Sequence, residues 1–178
     1  YKYLDASRRK RDIFTAENRA VARKLAAESF VLLKNEGQLL PLQKKGKIAL
    51  IGPLANTKAN MAGTWCVAYT PDRYSTLKEG LERAVAGKAE LLYAQGSNLT
   101  ADEALQKAAE FGKTIPRGDD QKLKAEALKI AKQSDVIIAA MGECADMSGE
   151  SSSRSNLELP DVQMALLREL VATGKPVV

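Results

Sequence analysis

The sequence predicts an α/β fold, a three-layer αβα sandwich built around a mostly parallel sheet. Short, continuous apolar runs that end at or near glycine are typical of parallel strands buried on both faces. Segments with helical spacing lie between these runs, and such alternation favours a parallel sheet covered by helices on both faces. With 178 residues, 45% of them hydrophobic, the chain is long enough for one domain with a sizeable core.

Three apolar runs are predicted to be strands, and a fourth begins near the end of the sequence. The predicted strands are 47–51, 89–94 and 136–141, and the fourth starts at Lys175. We expect Val136–Ala140 to be a central strand buried on both faces. Because the sequence stops within a strand signal, we expect a C-terminally truncated domain whose last elements lie beyond Val178. Residues 1–14 are charged and are interpreted as an interdomain linker, and residues 15–178 as the sandwich domain.

Helices are predicted between the strands from their caps and apolar spacing. Thr15 can cap a helix with Val21 and Leu25 on its apolar face. Thr100 and Glu103 fit a capping box, in which each side chain bonds the other residue's backbone N–H. The other predicted helices begin near Ser75, after Asp119 and at Asp161.

The residue types exclude several kinds of catalytic site from this chain. There is no histidine, which removes Ser-His-Asp and Cys-His machinery and histidine-rich metal sites. The two cysteines, Cys66 and Cys144, cannot furnish a zinc site alone, and the sequence does not decide whether they are reduced. We expect neither a metal nor a cofactor. Carboxylate, Lys, Tyr and Cys side chains remain for acid–base chemistry.

Charge and hydropathy argue against nucleic acid and membrane partners. The net charge is +5, with basic runs at 8–11 and 44–47. No aromatic residues are interleaved with these runs for base stacking, so we interpret them as solvated linker and turn residues. No apolar run approaches the length of a membrane-spanning helix. A nucleotide-binding domain is a further alternative, but no glycine-rich phosphate-binding motif follows the first strand.

The loops that follow the predicted strands carry the candidate site. In a parallel sheet these loops open on one edge, where ligands bind. That edge would gather Trp65, Glu143, Glu150 and Arg154. A flat aromatic ring can cover the C–H face of a sugar, and charged groups can bond its hydroxyls. The spacing therefore predicts a carbohydrate site.

Three segments resemble glycoside hydrolase family 3, in the order and spacing of that family. They are Ala27–Glu36 followed by Leu40-Pro41-Leu42; Ile48–Ala55 followed by Gly63-Thr64-Trp65; and Gly142-Glu143 followed by Ser148-Gly149-Glu150, Ser153-Arg154 and Leu159-Pro160. The resemblance covers roughly residues 16–178 and is closest to bacterial periplasmic β-glucosidases. It implies most of the second, αβα-sandwich domain of such an enzyme.

The resemblance implies a retaining exo-β-glucosidase that removes terminal β-D-glucosyl or related residues from β-linked glycosides, using two carboxyl groups. The nucleophile would be an aspartate on an upstream (β/α)8-barrel domain of the same polypeptide. The acid/base glutamate would lie downstream of Val178, so no catalytic residue is expected here, and Glu150 is the candidate within the chain. This domain would supply one wall of the sugar pocket, and the isolated chain would be inactive. The location would be periplasmic or extracellular.

The same resemblance assigns the residues of that wall, and each has a structural alternative. Trp65 would stack on the sugar, or else fill the core. Glu150 and Arg154 would line the pocket, or else form an exposed ion pair. Glu143 would contact substrate, or else accept loop N–H groups. For the whole protein, the alternative is a non-catalytic carbohydrate-binding or scaffolding domain that uses the same loops.

Overall fold

The structure is a computed structural model. It describes residues 5–61, 63, 65, 66, 70, 73–108, 115–147, 149, 150 and 152–178. The chain divides into two units, Tyr1–Leu42 and Gln43–Val178.

The first unit consists of two helices followed by an irregular segment. Helix α1 spans Arg8–Asp12 and helix α2 spans Ala16–Glu28. The prediction that Thr15 caps α2 is confirmed, because its hydroxyl accepts the Asn18 N–H at 3.1 Å. The predicted apolar face does not reach a core, since Val21 and Leu25 are both exposed.

The basic run at the start of the chain is solvent-exposed where its side chains are described. Arg8 and Arg11 bond the carboxylate of Asp12 at 2.8 and 2.6 Å. These hydrogen bonds, the one from Arg11 first, lower the pKa of Asp12 to about 2. The pairing of this exposed run with its own acidic neighbour agrees with a solvated segment.

The second unit is built on a parallel sheet, as predicted. Strands β1 (Lys47–Ile51), β2 (Glu90–Ala94) and β3 (Val136–Ala139) have the spatial order β2-β1-β3, and both pairings are parallel. The predicted fourth strand corresponds to a parallel bridge between Ile137 and Val177. The carboxyl ends of the three strands therefore lie at one edge of the sheet.

Two helices cover one face of the sheet and enclose its main core. They are α5 (Asp120–Gln133) and α6 (Asp161–Ala172). The core combines alternate residues of the strands with small and branched residues of these helices. Its buried members are Ala49, Ile51, Ala94, Ile137, Ala127, Ala131, Leu166 and Leu170. Alanine at the α5 contact positions lets that helix approach the sheet closely.

Helix α3 (Leu77–Val85) packs on the opposite face, which completes the three layers. The Lys78 ammonium lies 5.7 Å from the centre of the Tyr93 ring. Tyr93 pairs with Leu50 of β1, whose side chain is on the face opposite the main core. This helix lies against β2, so it leaves β3 less covered. The expectation that β3 is buried on both faces is therefore wrong, because Ile138 is only half-buried while Ile137 is fully buried.

Two predicted helix starts are displaced by one or two residues. Helix α3 is capped by Thr76, not Ser75, through a capping box with Glu79. Helix α4 (Glu103–Ala108) is capped by Asp102, whose carboxylate accepts the Leu105 N–H at 2.9 Å, so the predicted box of Thr100 and Glu103 is wrong. At the N-cap of a helix, a carboxylate and a hydroxyl are equally good acceptors of a backbone N–H. The sequence therefore allows either Thr100 or Asp102 to cap α4.

Candidate functional site

The loops after β1 and β3 approach each other at the carboxyl edge, and a glycine makes this possible. Gly52 has a φ of +142°, and a Cβ built on it would lie 2.1 Å from the carbonyl oxygen of Ala140. The Leu54 N–H bonds that same carbonyl at 3.3 Å. Any side chain at Gly52 would push the two loops apart.

A side-chain amide joins these two loops further along. The Oδ1 atom of Asn60 accepts the backbone N–H of Ala145 at 3.0 Å, and its Nδ2 donates to Thr57 Oγ1 at 3.2 Å. Asn60 lies in a 3₁₀ turn (Ala59–Met61), and Ala145 begins another (Ala145–Met147). The segment that carries Trp65 therefore starts from a point fixed to the β3 loop.

The β3 loop is also held from below by Gln163 of α6, which is fully buried. Its Oε1 accepts the Gly142 N–H at 2.9 Å, and its Nε2 donates to the Gly142 carbonyl at 2.8 Å. The same Nε2 donates to the carbonyl of Leu99, in the β2 loop, at 2.8 Å. One side chain thus connects the loops of two strands.

Two more buried amides organise the β2 loop. Asn98 bonds Gly118 twice, accepting its N–H at 2.9 Å and donating to its carbonyl at 2.9 Å. Gln106 accepts the Leu99 N–H at 3.2 Å and donates to the Ile115 carbonyl at 3.1 Å. These bonds satisfy backbone groups of the loop, and those of Leu99 and Ile115 belong to buried residues.

A second apolar cluster lies under the three loops. It consists of buried residues from the β2 and β3 loops, with the half-buried Leu54 of the β1 loop packed against them. The buried members are Leu99, Ile115, Cys144 and Met147. Cys144 is thus buried, whereas Cys66 is half-buried, and no disulfide joins them.

Glu143 and Arg154 form the charged centre of this edge. Arg154 Nε lies 2.6 Å from Glu143 Oε1, and the two side chains are 26% and 29% exposed. Arg154 Nη2 also donates to the Glu158 carbonyl at 3.2 Å. The ion pair proposed for Arg154 and Glu150 is therefore not the one formed, because the β3 loop brings Glu143 to the guanidinium. Among the described residues, the partner of the Glu143 carboxylate is the Arg154 guanidinium.

An open groove of about 350 Å³ lies beside this ion pair. Its walls combine the ion pair, a further carboxylate, serine hydroxyls, an amide and apolar side chains. They are Glu143, Met147, Ser152, Ser153, Arg154, Asn156, Leu157, Glu158 and Leu159. This mixture of charge, hydroxyl and apolar surface suits a polar ligand with apolar faces.

The structure brings together only two of the four predicted site residues. Glu143 and Arg154 are in contact, whereas Trp65 and Glu150 do not line the groove. The Trp65 side chain is 71% exposed, so it does not fill the core. Glu150 is exposed and forms no ion pair within the part of the chain that the structure describes. Thr64 and Ser148 of the segments that resemble the family lie outside that part.

Gln163 is a residue that sequence reasoning missed, although the sequence carried a signal for it. It lies on the apolar stripe of α6 at the spacing of Leu166 and Leu170, where a polar residue is out of place unless it bonds something buried. Among the described residues no group of three potential ligands could hold a metal ion. Nor does any described helix have the length and apolar character to cross a membrane.

Comparisons with known proteins agree on one family. The model of the glycosyl hydrolase family 3 C-terminal domain matches residues 30–178. A periplasmic β-glucosidase of Salmonella typhimurium is 42% identical over 165 residues, which are 90% of this chain and 21% of that protein. A β-xylosidase of Formosa agariphila is 32% identical over 171 residues, 92% of this chain and 21% of that protein.

A solved structure gives the same result. The β-glucosidase of Listeria innocua, in complex with isofagomine, superposes with a TM-score of 0.77 at 31% identity, covering 99% of this chain and 22% of that one. The chain thus spans about a fifth of the length of the relatives it matches. The family model matches most of this chain, and the strands form a parallel sheet. This chain therefore belongs to glycosyl hydrolase family 3 as a C-terminal domain.

Proposed function

We propose that the full-length protein is a retaining exo-β-glycosidase acting on terminal β-D-glucosyl or related residues, and that this domain supplies one wall of its sugar pocket. The relatives named as β-glucosidase and β-xylosidase support the reaction class. Their greater length is consistent with further domains in the same polypeptide, including the barrel that would carry the nucleophile. The relative named as periplasmic supports a periplasmic location.

The single observation that carries the pocket wall is the Glu143–Arg154 pair beside the groove. A guanidinium whose Nε is held at 2.6 Å by a carboxylate is fixed in place, and its other nitrogens remain able to donate. Sugar hydroxyls are acceptors for such donors, and a charge-assisted hydrogen bond is stronger than a neutral one. Trp65, with its exposed indole, would supply the stacking surface.

The two glutamates of the β3 loop, Glu143 and Glu150, have different surroundings. The carboxylate of Glu143 is paired with the guanidinium of Arg154 at 2.6 Å. Glu150 is exposed and has no such partner among the described residues. In this proposal the acid/base is a glutamate downstream of Val178, and Glu150 is the alternative candidate within this chain.

The test uses the full-length protein with an aryl β-glucoside as substrate. Arg154→Ala should lower kcat/KM by an amount equivalent to about 1.5–3 kcal/mol, as expected for a hydrogen bond to a charged group. Arg168→Ala, which removes an exposed arginine of α6 outside the groove, is the matched control. Wild-type kcat/KM in the Arg154 variant, with an unchanged melting temperature, would rule out the pocket wall.

The variant Glu150→Ala distinguishes the two candidates for the acid/base, which are Glu150 and a glutamate downstream of Val178. If Glu150 is that residue, the variant loses activity on substrates with poor leaving groups, and azide restores turnover because an external nucleophile replaces the missing general base. Full activity without azide would place the acid/base elsewhere. Sugar binding without turnover by the full-length protein would favour the alternative of a non-catalytic carbohydrate-binding or scaffolding domain.

A further inference from the structure

The side-chain amide of Gln163 forms two hydrogen bonds to the backbone of one residue, Gly142. Its amide accepts the N–H of Gly142 and donates to the carbonyl of the same residue, at 2.9 and 2.8 Å. A two-point contact fixes both the position and the rotation of that residue, which a single hydrogen bond cannot do. The third bond, to the Leu99 carbonyl at 2.8 Å, fixes the amide itself.

Gly142 is directly bonded in the chain to Glu143, one member of the Glu143–Arg154 pair. Gly142 precedes Glu143, whose carboxylate holds Arg154 at 2.6 Å. Gly142 has a φ of +153°, and a Cβ at that position would be 3.1 Å from the Leu54 side chain, so this backbone conformation needs a glycine. A glycine without an external anchor has wide conformational freedom, and Gln163 supplies the anchor.

The location of Gln163 is not explained by packing alone. The positions at its spacing on α6, Leu166 and Leu170, are buried and apolar. A buried amide loses water on folding, and hydrogen bonds to the loops offset that loss. Its three bonds go to the loops of the carboxyl edge, and two of them go to Gly142.

We propose that Gln163 is a positioning residue for the sugar site, which sets the orientation of the Glu143–Arg154 pair by fixing Gly142. This inference rests on the proposed function, in which Arg154 binds the sugar. Gln163 touches no groove atom itself and acts through the backbone of the β3 loop.

The test is kinetic and uses the full-length enzyme. Gln163→Met keeps the side-chain length and removes all three bonds. Because misplacement of a binding group by about 1 Å can cost about 100-fold, we expect kcat/KM to fall by roughly 10- to 100-fold. If most of the loss in Arg154→Ala appears in KM, most of the loss in Gln163→Met should appear in KM too, and the same holds for kcat. Gln163→Asn, whose amide is one methylene shorter, replaces the methionine variant if the latter does not fold.

Gln106→Met is the matched control. Gln106 is also a buried amide that bonds loop backbone of this edge, but it holds Leu99 and Ile115 and makes no bond to Gly142. It should lower the melting temperature to a similar extent. At temperatures well below each melting point, its kcat/KM should fall clearly less than that of Gln163→Met, because Gln106 bonds the backbone of Leu99 but not that of Gly142.

A double-mutant cycle decides the mechanism. If Gln163 acts through Arg154, combining Gln163→Met with Arg154→Ala should lower kcat/KM little beyond the effect of Arg154→Ala alone. Gln106→Met should combine with Arg154→Ala additively. Two outcomes would show that the positioning role is wrong while the proposed function stands, provided that Arg154→Ala impairs the enzyme. In the first, Gln163→Met lowers kcat/KM no more than Gln106→Met does. In the second, the effect of Gln163→Met adds fully to that of Arg154→Ala. If Arg154→Ala has no effect, both are overturned.

Discussion

Arg154 Nε and Glu143 Oε1 lie 2.6 Å apart, which joins the start of the β3 loop to a residue eleven positions further along. Glu143→Gln should release the guanidinium from this fixed position. Because both side chains keep about a quarter of their surface in water, the free energy of unfolding should fall by only about 1 kcal/mol. The loss of kcat/KM in the full-length enzyme should be larger than this, because a mobile Arg154 binds the sugar less well. The control is Glu169→Gln, which removes the ion pair of Glu169, on α6, with Lys124 (2.9 Å), outside the groove. Equal losses of activity in the two variants would contradict the role of Glu143.

Trp65→Ala should weaken substrate binding without unfolding the protein. The indole is 71% exposed, so its removal leaves no core cavity. Loss of a stacking surface should raise KM and the inhibition constant of competitive sugars by an amount equivalent to about 1–3 kcal/mol, with kcat little changed if the contact is the same in ground and transition states. Trp65→Phe, which keeps an aromatic face, should recover part of the loss. Wild-type KM in Trp65→Ala would remove this residue from the pocket.

Neighbouring residues of β3 should differ in their contribution to stability. Ile137 is fully buried in the main core, so Ile137→Ala should cost roughly 2–5 kcal/mol through cavity formation. Ile138 points to the opposite, less covered face, and Ile138→Ala should cost less than half as much. Urea unfolding of the two variants measures the difference directly. Equal costs would show that both faces of β3 are covered to the same extent.

Gly52→Ala should disrupt the carboxyl edge. The new Cβ would lie 2.1 Å from the Ala140 carbonyl oxygen, a backbone atom that cannot move without shifting the β3 loop. Gly174→Ala is the control, because Gly174 also has a positive φ, of +73°, but open space around its Cβ position. It should cost only the backbone strain of about 1–2 kcal/mol, and Gly52→Ala should cost clearly more. A smaller loss in Gly52→Ala, measured by thermal unfolding, would contradict the close approach of the two loops.

The first turn of α3 should weaken in acid. The Thr76 N–H bonds Glu79 at 3.0 Å and lowers the pKa of that carboxyl below its ordinary 4.5, and the nearby Lys58 contributes in the same direction. A lowered pKa in the folded state means that the ionised carboxylate stabilises the fold above pH 4.5, and that this stability is lost as the pH falls through the lowered value. An NMR titration of Glu79, with Glu79→Gln as the control for amide protection in α3, checks this. A midpoint at or above the ordinary value would refute it.

The alternation of strands and helices, and hence the parallel sheet, was readable from the sequence because it depends on local features. Apolar runs such as Lys47–Ile51 and caps such as Thr15 act within a few residues of themselves. The family was readable for the same reason, since its motifs are short segments in a fixed order. Parallel pairing then required the loops after the strands to share an edge.

Which groups meet at that edge was decided by the tertiary structure alone. Glu143 and Glu150 are both carboxylates near Arg154 in sequence, and only the path of the β3 loop determines which of them reaches the guanidinium. Gln163 contacts a loop 64 residues away, at Leu99, so no local pattern could name its partners. The half-burial of Ile138 depends on where α3 lies on the far face. The sequence by itself determined the elements and the edge where they present their loops, and the contacts between distant side chains decided how that edge is held.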